Sequence, residues 1–157
     1  MYSIRKATIN DISKMQDVFV KSITTSCFSD YDIQQIKIWT SSVQDNTKWQ
    51  QLIVKQYTLI AFKEDEVVGF GSLEHNGIID MLYTAPHVQR NGIAKLLHRA
   101  LESKALELHL LTLTAEVSLT AVPFFKKMRY NLLSEQKKEY KGVLFTNFTM
   151  QKKVTVI

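Results

Sequence analysis

The sequence predicts an α/β (α+β) protein with a mixed, mostly antiparallel central sheet of about six or seven strands flanked by about four helices. Three observations carry this. Stripes of apolar residues at helical spacing are interspersed with β-branched and aromatic runs; three such runs follow one another across short polar turns; and the third leads through a one-glycine loop into an amphipathic helix. With 157 residues, 45% of them hydrophobic, the chain can bury one good core and is too short for two ordinary domains. A single domain over residues 1–157 is expected.

Residues 2–7 alternate as a half-buried strand does, and Thr8 and Asp11 supply turn and capping chemistry for a helix with Ile12, Met15, Val18, Phe19 and Ile23 on one face. Ser29 and Asp30 are placed to cap a second helix carrying Tyr31, Ile33, Ile36, Ile38 and Trp39. Residues 57–63 and 67–74 form a hairpin about Glu64-Asp65-Glu66, and Asn76-Gly77 turns the chain into a third strand over residues 78–83. A helix follows from Gly92 to about Glu107, burying Ile93, Leu96, Leu97, Ala100, Leu101 and Leu108. Residues 110–117 form a strand, parallel to the one before the helix if the crossover has the usual hand. Residues 118–128 make a short helix with Pro123 in its early turns, and residues 130–140 and 143–152 close the chain as a hairpin about Lys141-Gly142. Repeats, linkers and low-complexity tracts are absent.

The segment Tyr83-Thr84-Ala85-Pro86 leads into Gln89-Arg90-Asn91-Gly92-Ile93-Ala94, a turn of the form Gln/Arg-x-x-Gly-x-Ala/Gly. Gly92 lets the backbone approach a ligand, and the unpaired amides at the helix start, with the helix dipole behind them, favour a diphosphate. This loop resembles the acetyl-CoA pyrophosphate loop of the GNAT N-acetyltransferase superfamily. The order of elements is that of GNAT proteins along nearly the whole chain. Two further segments, Asp32-Ile33-Gln34-Gln35-Ile36-Lys37-Ile38-Trp39 and Gly142-Val143-Leu144-Phe145-Thr146-Asn147-Phe148-Thr149-Met150-Gln151-Lys152, look like a subset of small bacterial members.

The resemblance implies a GNAT fold and an acyltransferase that moves the acetyl group of acetyl-CoA to a primary amine by direct attack in a ternary complex. Carried over residue by residue, it implies a cofactor site of Met81, Leu82, Tyr83, Gln89, Arg90, Asn91, Gly92, Ile93, Ala94, Lys95, Ser118 and Phe124. Arg99 and Lys127 are further cations for the phosphates, with Arg90 and Lys95 preferred because they lie on the loop. For Ser118, helix capping is an equally weighted reading. The Leu82 amide is implied as the oxyanion donor and Asp80 as the general base. Glu74, His75 or an ordered water are the alternatives. Tyr31, Trp39 and Trp49 are read as core, with an acceptor-pocket lining as the alternative.

Two positions depart from the family pattern. Phe125 stands where a tyrosine general acid is usual, leaving Tyr83, Tyr130, Tyr140, water or unassisted departure of the thiolate. It also motivates an alternative function, an acyl-CoA-binding regulatory protein with weak or no catalysis. Arg129 stands where glycine is common, so a changed turn into the next strand is expected.

The charge of +5, from 20 Lys+Arg against 15 Asp+Glu, suits an anionic cofactor and mildly disfavours a highly cationic acceptor. There is no basic stripe with stacking aromatics for nucleic acid and no apolar run near the roughly 20 residues of a membrane span. Cys27 is the only cysteine and lacks a local base; no metal site is expected. A cytoplasmic protein acting on a small-molecule or peptide amine is expected, with a homodimer among the open oligomeric states.

Overall fold

In the computed structural model, which describes residues 1–155, the strand signals converge on one sheet of seven strands ordered β1-β2-β3-β4-β5-β7-β6. They are β1 (Ser3–Lys6), β2 (Tyr57–Lys63), β3 (Glu66–Leu73), β4 (Ile78–Thr84), β5 (Thr112–Ser118), β6 (Asn131–Tyr140) and β7 (Val143–Lys153). Neighbours are antiparallel except β4 and β5, the pair joined by the helical crossover. Residues 156 and 157, the end of the expected domain, lie outside the described residues.

Five α-helices flank the sheet among the described residues: α1 (Ile12–Ser26), α2 (Ile33–Thr40), α3 (Asn46–Lys55), α4 (Ile93–Glu107) and α5 (Val122–Lys127). The period of two along β2 sorts its side chains: Leu59 and Ala61 join a core beneath α4 and α5, and Ile60 joins a second core beneath α1 and α3. Gly69 and Gly71 let α4 sit close on β3. A Cβ at either would meet Ile93, Leu97 or Leu101 side-chain atoms at 3.1–3.2 Å.

One helix lies beyond those read from the sequence. α3 has only Trp49, Leu52 and Ile53 as an apolar stripe, one turn's worth of signal, and is held by tertiary contacts instead. Trp49 is fully buried, its ring edge-on to Phe19 at 5.2 Å, and its indole N–H donates to the Ser42 carbonyl at 3.0 Å. α2 starts later than expected. Asp32, not Ser29 or Asp30, caps it by accepting from the Gln35 amide at 2.8 Å, which frees Asp30 to accept from Thr120 at 2.7 Å. The segment expected as one helix after Ser118 is a 3-10 turn (Leu119–Ala121) followed by α5, with Pro123 in its first turn. Arg129 adopts φ +70°, and the pair of bonds from Tyr130 N to Phe125 O and Arg129 N to Lys126 O completes a left-handed helix ending of the kind glycine normally makes. The expected change of turn is therefore absent.

Two polar anchors fix the ends of the chain. Arg5 grips the buried Asp11 carboxylate through both oxygens, at 2.8 and 2.9 Å, and that hydrogen-bonded pairing draws the Asp11 pKa down to about 2. Beneath α4, Glu102 receives Lys152 of β7 at 2.8 Å and the Thr155 amide at 3.1 Å, while His98 Nε2 and the Tyr130 hydroxyl lie 2.8 Å apart. Burial holds the His98 pKa down to about 4; nearby Glu102 opposes that shift and Lys152 adds to it.

His98 is thus neutral in the fold, whereas the unfolded chain protonates it below pH about 6.5. Its contribution is complete above that pH and declines as pH falls toward about 4, by up to about 1.4 kcal/mol per unit. Urea unfolding between pH 7 and 4.5 should show this slope, and His98→Gln should flatten it. An unchanged slope in the variant would contradict the assignment.

Candidate active site

β4 and β5 share only two paired positions, Ile78 with Thr114 and Ile79 with Ala115. Pairing stops at Asp80. On its other side β4 also changes register there, with Leu73 opposite Ile79 and Ser72 opposite Met81, so that Asp80 is the extra residue of a β-bulge. A bulge bends and twists its strand. The inversion shows in the packing: Ile79 belongs to the core under α4, whereas Met81 belongs to the core under α1.

Beyond the bulge, β4 and β5 open into a cleft of about 1070 Å³ lined by β4, β5, α5, the loop before α4, and the α1–α2 and β6–β7 segments. The Ala85 amide donates to Val68 O at 2.8 Å, so by antiparallel alternation Tyr83 also faces β3 while the Leu82 and Thr84 amides turn away, toward the side β5 has vacated.

At one end of the cleft lies the loop before α4. Arg90 and Gly92 both take left-handed backbone conformations, φ +68° and +80°. The first carbonyl taken up by the helix is that of Gly92, which accepts from the Leu96 amide at 2.9 Å. Among the described residues the amides of Gly92, Ile93, Ala94 and Lys95 have no backbone partner. Such a run of free amides at a helix start is an anion cradle. A Cβ on Gly92 would meet nothing within 4 Å, so the cradle opens onto free space. Arg90, Lys95 and Lys127 line the cleft, whereas Arg99 does not. Gln89 also lines it and donates to Ser26 at 2.6 Å. Asn91, exposed, turns its amide back to Val88 O at 3.2 Å.

The opposite end carries the titratable groups. Glu74 is half-buried and lines the cleft; desolvation, then the charge of nearby Asp80, pushes its pKa up, with His75 opposing. Asp80 is exposed and accepts from Gln56 Nε2 at 2.9 Å, so the partial burial expected for a base on β4 falls on Glu74. His75 is exposed on its turn and does not line the cleft. Tyr83 sits at the cleft floor between Phe19 and Phe70, and enclosure pushes its phenol up. Tyr130 is sealed in the core against His98, and Tyr140 is at the mouth.

Phe125 is buried edge-on to Tyr130 at 4.9 Å, and Phe124 borders the cleft beside it. Ser118 borders it too, but its hydroxyl caps the following turn, accepting from the Ala121 amide at 3.2 Å. Cys27 lines the cleft with its thiol pushed up by burial.

Aromatic rings form a further wall of the cleft. Tyr31 is buried in the core under α1, Trp39 packs against that core, and both also border the cleft, whereas Trp49 is core alone. Phe145 joins them from β7, with ring centroids 5.3 Å between Tyr31 and Trp39 and 6.3 Å between Tyr31 and Phe145. The Tyr31 hydroxyl donates to Thr146 O at 2.8 Å and accepts from the Leu119 amide at 2.9 Å.

A sheet opened between its one parallel pair, with an anion cradle at one end and a carboxylate at the other, defines a group-transfer enzyme that holds a phosphate-bearing carrier. Residues 27–152 match the family model described as an acetyltransferase (GNAT) domain. The N-acetyltransferase YafP of Escherichia coli (strain K12), itself uncharacterized, is 32% identical over 151 residues, covering 96% of this chain and 95% of its own. A GCN5-related N-acetyltransferase structure from Rhodopseudomonas palustris superposes with TM-score 0.93 at 32% identity, covering 96% and 94% of the two chains. The PaiA N-acetyltransferase of Thermoplasma acidophilum, solved with coenzyme A, shares the fold at TM-score 0.78 and 22% identity over 98% and 99%. The chain belongs to the GNAT acetyltransferase family and is an acyltransferase. No helix among the described residues is long and apolar enough to cross a membrane.

Tyr31→Phe should lower stability by about 1–3 kcal/mol, because it strands the Leu119 amide and the Thr146 carbonyl together. Urea midpoints of the two proteins measure this. Equal midpoints would mean the phenol holds nothing.

Proposed function

We propose that this chain transfers the acetyl group of acetyl-CoA to a primary amine, by direct attack with both substrates bound. The observation that carries the reading is the early end of the β4 and β5 pairing, which leaves the Leu82 amide turned toward a cleft running from the anion cradle to Glu74. The free amides from Gly92 to Lys95 would hold the diphosphate, with Arg90, Lys95 and Lys127 adding charge. The backbone of Met81, Leu82 and Tyr83 and the side chains of Ser118 and Phe124 would line the path of the pantetheine arm. The bound thioester supplies an acyl carbon already activated for attack.

Leu82 N–H is the donor for charge developing on the acyl oxygen. Glu74 is the base. Its raised pKa brings it nearer the working range, and Asp80 keeps it there without being the proton acceptor itself. Glu74 takes the amine proton as the nitrogen bonds to the acyl carbon. Tyr83, with its phenol pushed above the ordinary value, is a hydrogen-bond donor and a poor proton source. A thiol of ordinary pKa about 8.5 needs no stronger acid, so the thiolate departs as such and takes its proton from solvent. Phe125 in place of a tyrosine is compatible with that departure.

Glu74→Gln should lower kcat/KM by about 10²–10⁴-fold with the affinity for acetyl-CoA unchanged. In the parent enzyme kcat/KM should fall on the acid side through an apparent pKa above the ordinary carboxylate value, a limb the variant lacks. An identical pH profile in both proteins would remove Glu74 from this role.

Gly92→Asp places a carboxylate in the open space of the cradle and strains a backbone at φ +80°. Calorimetric titration should show acetyl-CoA binding weakened at least about tenfold in a folded variant. Unchanged affinity would sink the loop assignment.

A further inference from the structure

We propose that the acceptor is a small primary amine with one cationic nitrogen and a flat apolar body, of the size of an arylalkylamine. The inference rests on the acetyltransferase reading above and concerns the other half of the same cleft.

Its walls are rings. Tyr31, Trp39 and Phe145 meet edge to face or tilted, with centroid separations of 5.3–6.5 Å, and Tyr83 continues the surface toward the floor. Tyr31 has spent its hydroxyl on Thr146 and Leu119, so it offers the chamber an aromatic surface rather than a polar handle. Rings so arranged favour a flat apolar guest by stacking and an ammonium by attraction to their faces.

The chamber is also bridged. Tyr31 donates to Thr146 O, Gln35 Nε2 to Leu144 O at 2.9 Å, and Lys141 Nζ to Ser41 Oγ at 3.0 Å. These bonds tie the segment around α2 to the β6–β7 hairpin at three points. An extended peptide needs an open groove at this end, whereas a compact amine does not.

The carboxylates count the nitrogens. Among the described residues three acidic side chains line the cleft: Glu74, Asp80 and Glu116. Glu116 is paired with Lys138. The remaining two are neighbours, Asp80 lying close enough to Glu74 for its charge to bear on the Glu74 carboxyl, so they form one local anionic site. Lys48 adds positive charge to the lining. One ammonium therefore finds an anionic partner, and a second or third, as on a polyamine or an aminoglycoside, finds none.

The test measures thiol release from acetyl-CoA with 2-phenylethylamine, tryptamine, spermidine, kanamycin and an alanine-terminated peptide, after calorimetry has established acetyl-CoA binding. The two arylalkylamines should have the highest kcat/KM. Trp39→Leu should raise their KM about tenfold with kcat and acetyl-CoA affinity unchanged. If that variant does not fold, Phe145→Leu on β7 gives the same readout. Preference for spermidine, kanamycin or the peptide would overturn the inference and leave the acetyltransferase reading standing. A variant that loses all amines alike would also overturn it, since the ring would then be structural. Failure to bind acetyl-CoA would overturn the underlying reading and the inference with it.

Discussion

The site depends on one local defect in the sheet. Asp80 is one residue more than β3 can match, and the bulge it makes coincides with the point at which β4 parts from β5. Had the parallel ladder continued, the outward amides of Leu82 and Thr84 would be spent on β5 carbonyls and the core would close. Instead the strands diverge, and unsatisfied backbone donors that would be costly inside a core line a cleft open to ligand and solvent. The bulge also reverses which face each β4 side chain occupies, which brings Met81 and Tyr83 under α1 while Leu82 stays on the α4 side.

The ends of the cleft have opposite electrostatic character. Free amides, two left-handed residues, Arg90 and Lys95 gather at the start of α4, where a tightly turned loop meets a helix dipole, and Lys127 lines the cleft from the end of α5. Away from the cradle the cleft is lined by aromatic rings and by carboxylates, one of them raised in pKa by its own desolvation. Such polarity suits a ligand that carries phosphate at one end only.

The half of the sheet beyond β5 is held in place by buried polar chemistry. β7 lies between β5 and β6 and reaches α4 through Lys152 and Glu102, while Tyr130, at the start of the final hairpin, meets His98. A buried ion pair adds little net stability against an apolar substitute, but losing one partner is severe, by roughly 3–5 kcal/mol. The pairing therefore specifies where the final hairpin sits, and that position sets the far wall of the cleft. Arg129 accepts a strained conformation at the same corner, at the end of α5.

Much of this was legible in local patterns. The strand runs, the amphipathic stripe of α4 and the one-glycine loop each carry their signal within a dozen residues, because periodicity and turn chemistry are properties of neighbours in sequence. α3 escaped because its apolar stripe is short and its stability comes from Trp49 docking on Phe19 and Phe70. The relative standing of Glu74 and Asp80 was equally out of reach, since a carboxylate's pKa follows from burial and charged neighbours brought by other strands. So was the aromatic wall, whose members Tyr31, Trp39 and Phe145 come from chain segments more than 100 residues apart. By itself the sequence determined the strands, the helices other than α3, their order and the one-glycine turn before α4, which are short-range consequences of residue type. Only the tertiary structure decided where β4 leaves β5, which carboxylate is desolvated and what lines the acceptor end, because each depends on contacts between segments distant in the chain.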